Sequence, residues 1–355
     1  MAKQNFISSL GIGRKGYSAI ELSSHYKSCL LTGHNSEFES ILERISRITG
    51  ENLLHLKIGS ERNSLSSLHD LYNQLSQQKF NRIFVIGGGS LIDYAKRLVL
   101  IGNDKNLKIQ LVVIPSRIGS GAESSMTSII NEQTTKSIEV NEIMMPKTVI
   151  YDFDLFDSLK PRDFFEGSID SLTHLIESSL SFLANPYVDY LSYSTLDYFF
   201  NYISRNTIDF SSPSKNFLEH LCMLSFHGGL AQNNAGAGLC HALSHSAEMV
   251  LKVKHTEAIA EFLVPTIRLL EAKDSSTFEK FPADLVTKIS NYYSSYNQEY
   301  GIFQIKECLN GKEDVLSDII EGAQADPCWK LMKKKLEKAD IFGAFQNFYG
   351  IKEIN

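Results

Sequence analysis

Two pairs of residues in this chain have the types and the spacing of metal ligands. Asp170 and His174 lie four positions apart, and His241 and His255 follow further along the chain. Residues at i and i+4 share one face of a helix, so the first pair can point at a common ligand. One carboxylate and three imidazoles form a ligand set for a divalent transition metal, which would activate a substrate oxygen as a Lewis acid.

The first pair has a simpler interpretation as well. Taken alone, Asp170 and His174 would also satisfy each other through a contact on one helix face. The second stretch favours a metal site, because His241, His245 and His255 lie within 15 residues and the first two are again at i and i+4. All four predicted ligands together fit a metal site with an open position for a substrate.

Two glycine loops indicate a nucleotide site. A buried run at Ile83–Ile86 leads into the triple glycine Gly87–Gly89, then Ser90 and the start of a helix. Glycines let the backbone approach a pyrophosphate, and the free N–H groups of a helix N-terminus attract it. A second loop, Ser116–Glu123, follows the next predicted strand, where parallel sheets bind their ligands. For the first loop alone, a tight connection without a ligand is the alternative.

The segments around these loops alternate between strand and helix. Short apolar runs predict buried strands, and the amphipathic stretches between them predict helices. The predicted strands are 28–32, 53–57, 82–86 and 110–114, and the predicted helices are 38–49, 64–78 and 91–101. Val149–Asp152 is the last strand-like run. This order predicts a parallel α/β sheet covered by helices on both faces.

After residue 155 the pattern changes to long stretches with a 3.6-residue apolar period. The clearest are 164–183, 187–203, 214–231 and 238–253, which predict a helical bundle. We therefore predict two domains: a nucleotide-binding α/β domain at 1–155 and a helical domain at 156–355 that carries the metal and substrate sites.

A further glycine pattern lies near the N-terminus. Gly11–Gly16 has the GxGxxG spacing of a dinucleotide fingerprint. No buried strand is expected before it, and no acidic residue follows the second predicted strand, where the partner of the ribose would stand. The segment is therefore predicted to be a terminal hairpin or turn.

The composition is that of an ordinary globular protein. The chain has 355 residues, 43% of them hydrophobic and 21% charged, with a formal net charge of −6. This acidic balance argues against a nucleic-acid or anionic-membrane partner. The five cysteines are scattered without a CxxC pair, and neither a signal peptide nor a membrane span is expected, so we predict a cytoplasmic location.

Together these motifs resemble the iron-containing (group III) alcohol dehydrogenase family, within the dehydroquinate synthase-like superfamily. The similarity runs from about Ser28 to Pro265. Its elements, in chain order, are GGGSxxDxxK at 87–96, the loop at 115–123, the series Lys136, Pro146 and Asp152, GxxDxxxHxxE at 167–177, and HxxxH at 241–245 followed by His255.

The resemblance implies an N-terminal Rossmann-like domain, a C-terminal helical domain and an active site in the cleft between them. It implies NAD or NADP and one divalent ion, iron or zinc, held by the four predicted ligands. His245 resembles the family histidine that lies near the nicotinamide and assists proton movement, and a homodimer is expected. The residues assigned to the cofactor are Gly87, Gly88, Gly89, Ser90, Asp93, Ser116, Ser120 and Lys136.

Some positions depart from the family pattern. Gly33 stands where members that prefer NAD usually carry Asp, so NADP is a plausible cofactor, although no Arg or Lys stands there to bind its phosphate. Arg117 replaces a small residue and would reach the cofactor pyrophosphate or an anionic substrate group. Asn233 and Asn234 add polar groups near the predicted cleft.

These departures favour a metal-dependent NAD(P)-linked alcohol dehydrogenase or aldehyde reductase with a small polar substrate. The specific candidate is the C8 hydroxyl of the sugar acid 3-deoxy-manno-octulosonate, which implies a role in carbohydrate biosynthesis, and phosphonoacetaldehyde reduction is an alternative. A sugar-phosphate cyclase of the dehydroquinate synthase type needs a cluster of cations, and 167–177 contains neither Lys nor Arg. A non-catalytic binding protein would not need an intact ligand set.

Overall fold

The computed structural model describes residues 9–33, 38–59, 65–131, 136–300, 308–309 and 313–350, without the side chains of residues 131, 136 and 313. The chain divides into two compact units, residues 1–159 and 160–355. The predicted boundary at residue 155 falls inside a 3-10 turn, Phe153–Phe156, which the Asp152 side chain caps. The first unit ends at Leu159, just before Lys160 caps the next helix.

Six parallel strands form the main sheet of the first unit, in the order β1-β8-β5-β4-β2-β3. Their bounds are β1 Ser9–Ile12, β2 Ser28–Thr32, β3 Leu54–Lys57, β4 Arg82–Gly87, β5 Gln110–Pro115 and β8 Thr148–Tyr151. The helices between them are α1 Glu39–Thr49, α2 Leu65–Gln77 and α3 Gly89–Asp104. Every residue of β2 and β4 is buried, as in a sheet covered on both faces. The predicted α/β class is confirmed.

The glycine segment near the N-terminus, predicted to be a terminal hairpin or turn, contains a strand and then a turn. Ser9–Ile12 is strand β1, which pairs in parallel with β8 at the edge of the main sheet, so the segment is not a terminal hairpin. A 3-10 helix, Arg14–Ala19, follows directly. Gly11 and Gly16 allow this tight reversal, because a Cβ on Gly11 would lie 2.2 Å from the carbonyl oxygen of Gly16.

A two-stranded antiparallel hairpin, β6 Thr127–Asn131 and β7 Lys136–Val140, was not predicted. Buried cations of α3 hold it in place. Lys96 Nζ donates to the carbonyl oxygen of Thr127 at 2.7 Å, and Arg97 Nε donates to Ser128 Oγ at 3.2 Å. The hairpin thus depends on tertiary contacts, which its short mixed sequence does not reveal.

The second unit is helical. Its helices are α4 Pro161–Leu180, α5 Pro186–Ile203, α6 Lys215–Ala235, α7 Leu239–Leu251, α8 His255–Lys273, α9 Ser275–Phe278, α10 Leu285–Tyr300, α11 Glu313–Ala325, α12 Pro327–Lys330 and α13 Lys338–Tyr349. α4 is the central helix: every residue from Phe164 to Ser179 is buried, and α5, α6, α7 and α8 pack around it. Among the described residues, no helix is long and apolar enough to cross a membrane.

Candidate metal centre and nucleotide loops

Helix α4 carries the first two predicted ligands on one buried face. Asp170 and His174 are one helical turn apart and each is 3% exposed. His174 Nε2 lies 3.6 Å from Asp170 Oδ1. Gly228 of α6 permits this packing, since a Cβ there would lie 3.0 Å from the carbonyl oxygen of Ser171 and 3.5 Å from His174 Cβ. The helices therefore approach closely enough to exclude water from both side chains.

His241 joins these two residues from the first turn of α7. Its Nε2 lies 3.5 Å from Asp170 Oδ1, and one ligand atom from each of the three residues lies within 4.8 Å of the others. Asp170 Oδ1, His174 Nδ1 and His241 Nε2 are buried, and none has a hydrogen-bond partner in the part of the chain that the structure describes. Buried polar atoms are nearly always paired. Close ligand atoms on these three residues, with Asp170 Oδ1 and His241 Nε2 unpaired, fit a divalent ion as their shared partner.

Glu177 fixes the orientation of His241. One turn beyond His174 on α4, its carboxylate accepts from the backbone N–H of Gly238 at 2.7 Å and lies 2.7 Å from His241 Nδ1. It also accepts from the backbone N–H of Cys240 at 2.5 Å, so it satisfies free donors at the start of α7. A carboxylate only accepts, so Nδ1 carries the proton and Nε2 keeps its lone pair for a metal.

The electrostatics of the cluster suit a cation. Burial opposes ionisation of Asp170, but the nearby imidazoles outweigh it and lower its pKa to about 2. Burial lowers the pKa of His174 to about 4, so this imidazole is neutral. Burial also disfavours the charged form of His241, yet Asp170 and Glu177 outweigh it and raise the pKa to about 9. This carboxylate pair therefore stabilises positive charge at His241, whether a proton or a metal ion supplies it.

His255, the fourth predicted ligand, has a different set of near neighbours. It is the first residue of α8, and its ring centre lies 5.5 Å from that of His241. Its Nδ1 lies 2.7 Å from Glu248 Oε1, and its ligand atoms group with those of Glu248 and His245. The structure thus brings Asp170, His174 and His241 together as one ligand group and leaves His255 at its edge.

His245, the predicted proton carrier, lies one turn beyond His241 on α7. Its ring stacks on that of His255, with the ring centres 5.0 Å apart. Its Nδ1 forms a 2.9 Å hydrogen bond with Asp326 Oδ2. Burial lowers the pKa of His245, and Asp326 partly offsets this shift. A neutral imidazole with a third of its side chain exposed can accept and release a proton.

The two glycine loops of the first unit lie side by side. Gly87 of β4 pairs with Pro115 of β5, and the backbone N–H of Ser116 donates to the Gly87 carbonyl at 2.9 Å. Gly88 caps α3, which begins at Gly89. A Cβ on Gly89 would lie 3.0 Å from Ser120 Oγ, so the loops touch there. The carboxyl ends of β4 and β5 thus present adjacent loops and a helix N-terminus, an arrangement that suits a pyrophosphate.

The polar residues predicted for the cofactor fall into two groups. Ser90 and Ser120 are exposed and Ser116 is half-buried on these loops. Asp93 instead faces the hairpin: its Oδ2 accepts from the backbone N–H of Ile129 at 3.0 Å and its Oδ1 lies 3.5 Å from Lys96 Nζ. Asp93 is thus engaged by the protein, because its carboxylate lies against β6 and Lys96. Lys136 begins β7, and its side chain lies outside the described part of the chain.

Three carboxylates beside the histidines had no role assigned from sequence. Glu177 could have been predicted from its spacing, because it follows Asp170 and His174 at i+7 and i+3 on the same helix face. Glu248 follows His245 at i+3, which is a weaker signal. Asp326 lies 81 residues from its histidine, and no local pattern links the two.

A parallel sheet with adjacent glycine loops and a helical unit with a buried Asp–His–His cluster define a two-unit protein with a candidate nucleotide site and a candidate metal site. Residues 16–153 match the family model for iron-containing alcohol dehydrogenase, and residues 164–302 match the model for the C-terminal domain of the same family. The chain belongs to the iron-containing alcohol dehydrogenase family.

Individual relatives are distant. A 4-hydroxybutyrate dehydrogenase of Clostridium kluyveri is 28% identical over 216 residues, which cover 57% of this chain and 58% of that protein. An NADPH-dependent butanol dehydrogenase of Clostridium saccharobutylicum is 24% identical over 310 residues, covering 77% of this chain and 78% of the relative. The chain thus matches little more than half the length of the first relative.

Solved structures support the same fold. The iron-containing alcohol dehydrogenase of Thermococcus thioreducens superposes with a TM-score of 0.81 at 17% identity and covers 98% of this chain and 99% of its own. The sulfoacetaldehyde reductase of Bifidobacterium kashiwanohense, in complex with NAD+, has a TM-score of 0.81 at 15% identity and covers 99% of this chain and 100% of its own.

Proposed function

We propose that the protein is a metal-dependent, NAD(P)-linked alcohol dehydrogenase or aldehyde reductase that acts on a small polar substrate. The observation that carries this proposal is the buried group of unpaired ligand atoms on Asp170, His174 and His241, in a chain of the iron-containing alcohol dehydrogenase family. Family membership alone would also suit a protein that has lost its ligands. The ligand atoms and the supporting Glu177 carboxylate are present here.

Asp170, His174 and His241 would hold the metal, with His255 as the fourth ligand expected from sequence. When bound, a divalent ion supplies Lewis-acid polarisation of the substrate oxygen, and a nicotinamide supplies the hydride acceptor or donor. Both iron and zinc suit carboxylate and imidazole ligands. The neutral imidazole of His174 and the ionised Asp170 match what a cation requires, since protonated ligands do not bind metals.

The other residues of the site handle protons and exclude water. His245 would take up the hydroxyl proton during oxidation and return it during reduction, because its ring is partly exposed and its lowered pKa leaves the free imidazole neutral and able to accept a proton. Leu239 and Leu243, both buried, flank His241 on α7. The His241 and Glu177 side chains are themselves 2% exposed, so their contact is shielded from water, which strengthens it.

The glycine loops would bind the pyrophosphate of the cofactor through backbone N–H groups, with Ser90, Ser116 and Ser120 as further donors. Gly33 directly follows β2, and among the residues that the structure describes a Cβ there would meet only Phe38, at 3.8 Å. The protein therefore has room at this position but no carboxylate to reject a 2′-phosphate, so both NAD and NADP are proposed cofactors.

We further propose that the substrate carries an anionic group. The names of two relatives, 4-hydroxybutyrate dehydrogenase and sulfoacetaldehyde reductase, both denote substrates with an anionic group and a terminal alcohol or aldehyde. The C8 hydroxyl of 3-deoxy-manno-octulosonate and phosphonoacetaldehyde fit the same description. Arg117, exposed on the second glycine loop, is the candidate cation for such a group or for the pyrophosphate.

The test is an absorbance assay at 340 nm with NADH and NADPH, in both directions. The panel would hold 4-hydroxybutyrate, sulfoacetaldehyde, phosphonoacetaldehyde and 3-deoxy-manno-octulosonate, with butanol as the uncharged control. We expect turnover of at least one anionic substrate that a chelator abolishes and added Fe²⁺ or Zn²⁺ restores. Absence of cofactor turnover with every compound would overturn the proposal, and a sugar-phosphate cyclase would show that result.

A further inference from the structure

Three histidines of the second unit each place Nδ1 beside a carboxylate. Two of them are proposed metal ligands, and the third is the proposed proton carrier. The pairs are His241 with Glu177 at 2.7 Å, His255 with Glu248 at 2.7 Å, and His245 with Asp326 at 2.9 Å. Carboxylates behind metal ligands are common. The pair at His245 needs another explanation, because His245 lies outside the Asp170 ligand group.

We propose that Asp326 is a positioning residue for His245. It holds the proton on Nδ1, so that Nε2 is the atom that exchanges a proton with the substrate. This inference rests on the proposed function. Asp326 itself touches neither substrate nor cofactor in the proposal, and it acts only through the imidazole.

The position of Asp326 is fixed independently of the histidine. It is the N-cap of α12, and its Oδ1 accepts from the backbone N–H of Cys328 at 2.7 Å. This bond leaves Oδ2 to face His245 Nδ1 at 2.9 Å. Because an ionised carboxylate has no proton to donate, Nδ1 must be the donor. A preformed acceptor of this kind selects one tautomer before the substrate binds.

A metal interpretation of the same residues competes with this one. Ligand atoms of His245, Asp326 and Cys328 lie within 4.8 Å of one another and could bind a soft divalent ion. The hydrogen bond between Nδ1 and Asp326 disfavours it, because the ion would have to replace a short bond that is already formed. The two interpretations differ in metal stoichiometry, which the test below measures.

Asp326→Asn separates positioning from helix capping. Asn caps a helix as well as Asp does, so α12 should be retained. Its amide can donate as well as accept, so it no longer selects the Nδ1–H tautomer. We expect kcat to fall about 10- to 100-fold, the range of a lost acid–base contribution. The KM for the substrate, the Kd for NAD(P)H and a content of one metal ion should stay as in the wild type.

Two controls make the result specific. Asp274 caps α9 through Thr277 and has no contact with a histidine among those the structure describes, so Asp274→Asn should leave kcat unchanged. In a His245→Ala background, Asp326→Asn should change kcat by less than about 2-fold, because the two residues act as one unit.

A readout without metal or substrate completes the test. In protein labelled with ¹⁵N-histidine, two-bond ¹⁵N–¹H spectra should show His245 with its proton on Nδ1, assigned through His245→Ala, and Asp326→Asn should shift that signal. An unchanged tautomer and unchanged kcat in Asp326→Asn would overturn the inference while leaving the proposed function intact. A second bound metal ion lost in Asp326→Asn would overturn it as well. If the wild type turns over no substrate, the proposed function fails, whereas the spectra still decide whether Asp326 sets the tautomer.

Discussion

The two units present their sites with different parts of the chain. In the first unit, the loops after β4 and β5 offer backbone N–H groups, and glycines bring these loops to within contact of each other. In the second unit, side chains form the site, and carboxylates such as Glu177 orient them. We therefore expect ligand binding in the first unit to be sensitive to added side-chain atoms. Ligand binding in the second unit should be sensitive to the loss of a charged group. Substitutions in one site should leave ligand binding at the other unchanged.

The largest effect is expected for Asp170→Asn. The side chain keeps its shape but loses the only carboxylate of the three-residue cluster, and its ionised form is what the two histidines stabilise. Affinity for Fe²⁺ or Zn²⁺ should fall by more than about 100-fold, beyond the range for a supporting residue. Competition with a fluorescent chelator measures it.

Asp197→Asn is the matched control, because Asp197 lies on α5 and its only described partner is the neighbouring Asn201. It should bind metal like the wild type. NADH affinity should be retained in both variants. Normal metal affinity in Asp170→Asn would remove this residue from the ligand set.

A smaller loss of metal affinity is expected for Glu177→Gln. The amide cannot accept from all the donors that the carboxylate satisfies, which include the N–H groups of Gly238 and Cys240 and the ring of His241. Metal affinity should fall about 10- to 100-fold, and the free energy of unfolding of the metal-free protein should fall by about 1–3 kcal/mol. Chemical denaturation and the chelator assay measure these two effects. A loss of stability with full metal affinity would show that Glu177 only caps α7.

Gly89→Ala tests the site made of backbone. The added Cβ would lie 3.0 Å from Ser120 Oγ and 3.4 Å from Ser120 Cβ, so Ser120 must shift or turn its hydroxyl away from the first loop. The Kd for NAD(P)H should rise about 10-fold, equivalent to roughly 1.4 kcal/mol, while metal affinity stays normal. Fluorescence titration of bound NADH measures this.

Gly343→Ala in α13 is the control, since a Cβ there meets nothing within 4 Å. It should bind NADH normally. A loss of metal affinity in Gly89→Ala would contradict the separation of the two sites.

The smallest effect is expected for Gly33→Asp. Within the described part of the chain a side chain at this position would meet only Phe38, and a carboxylate there would accept from the ribose 2′-hydroxyl and repel a 2′-phosphate. The ratio of kcat/KM for NADH to that for NADPH should rise about 3- to 10-fold, within about 1.4 kcal/mol. Gly33→Asn is the matched uncharged variant and should shift the ratio less. An equal ratio in Gly33→Asp and the wild type would mean that β2 does not face the ribose.

Sequence patterns predicted the elements in which burial follows a local pattern of apolar residues. Strands β2 to β5 follow short apolar runs, helices α1 to α7 follow apolar residues with a period of 3.6, and the pairing of Asp170 with His174 follows from helical spacing. β1 was not predicted, because the stretch before Gly11 is short and half polar and the pairing with β8 spans most of the first unit. The contact of Asp93 could not be predicted either, because the β6–β7 hairpin that its carboxylate faces was itself not predicted.

The carboxylates that hydrogen-bond the histidines show the same limit of prediction from sequence. Glu177 shares a helix with two ligands and its spacing could have revealed it, whereas Asp326 reaches His245 from a separate helix. Spacing along one helix predicts which side chains share a face. It does not predict which helix from elsewhere in the chain brings a partner to that face.

The central claim is that one divalent ion binds at Asp170, His174 and His241. Crystals of the iron- or zinc-loaded enzyme, measured on both sides of the K edge of the metal, test it directly. We expect one anomalous difference peak within coordinating distance of these three side chains, with His255 turned towards it as the fourth ligand. A peak centred instead on His245, Glu248 and His255, or on Asp326 and Cys328, would contradict this account.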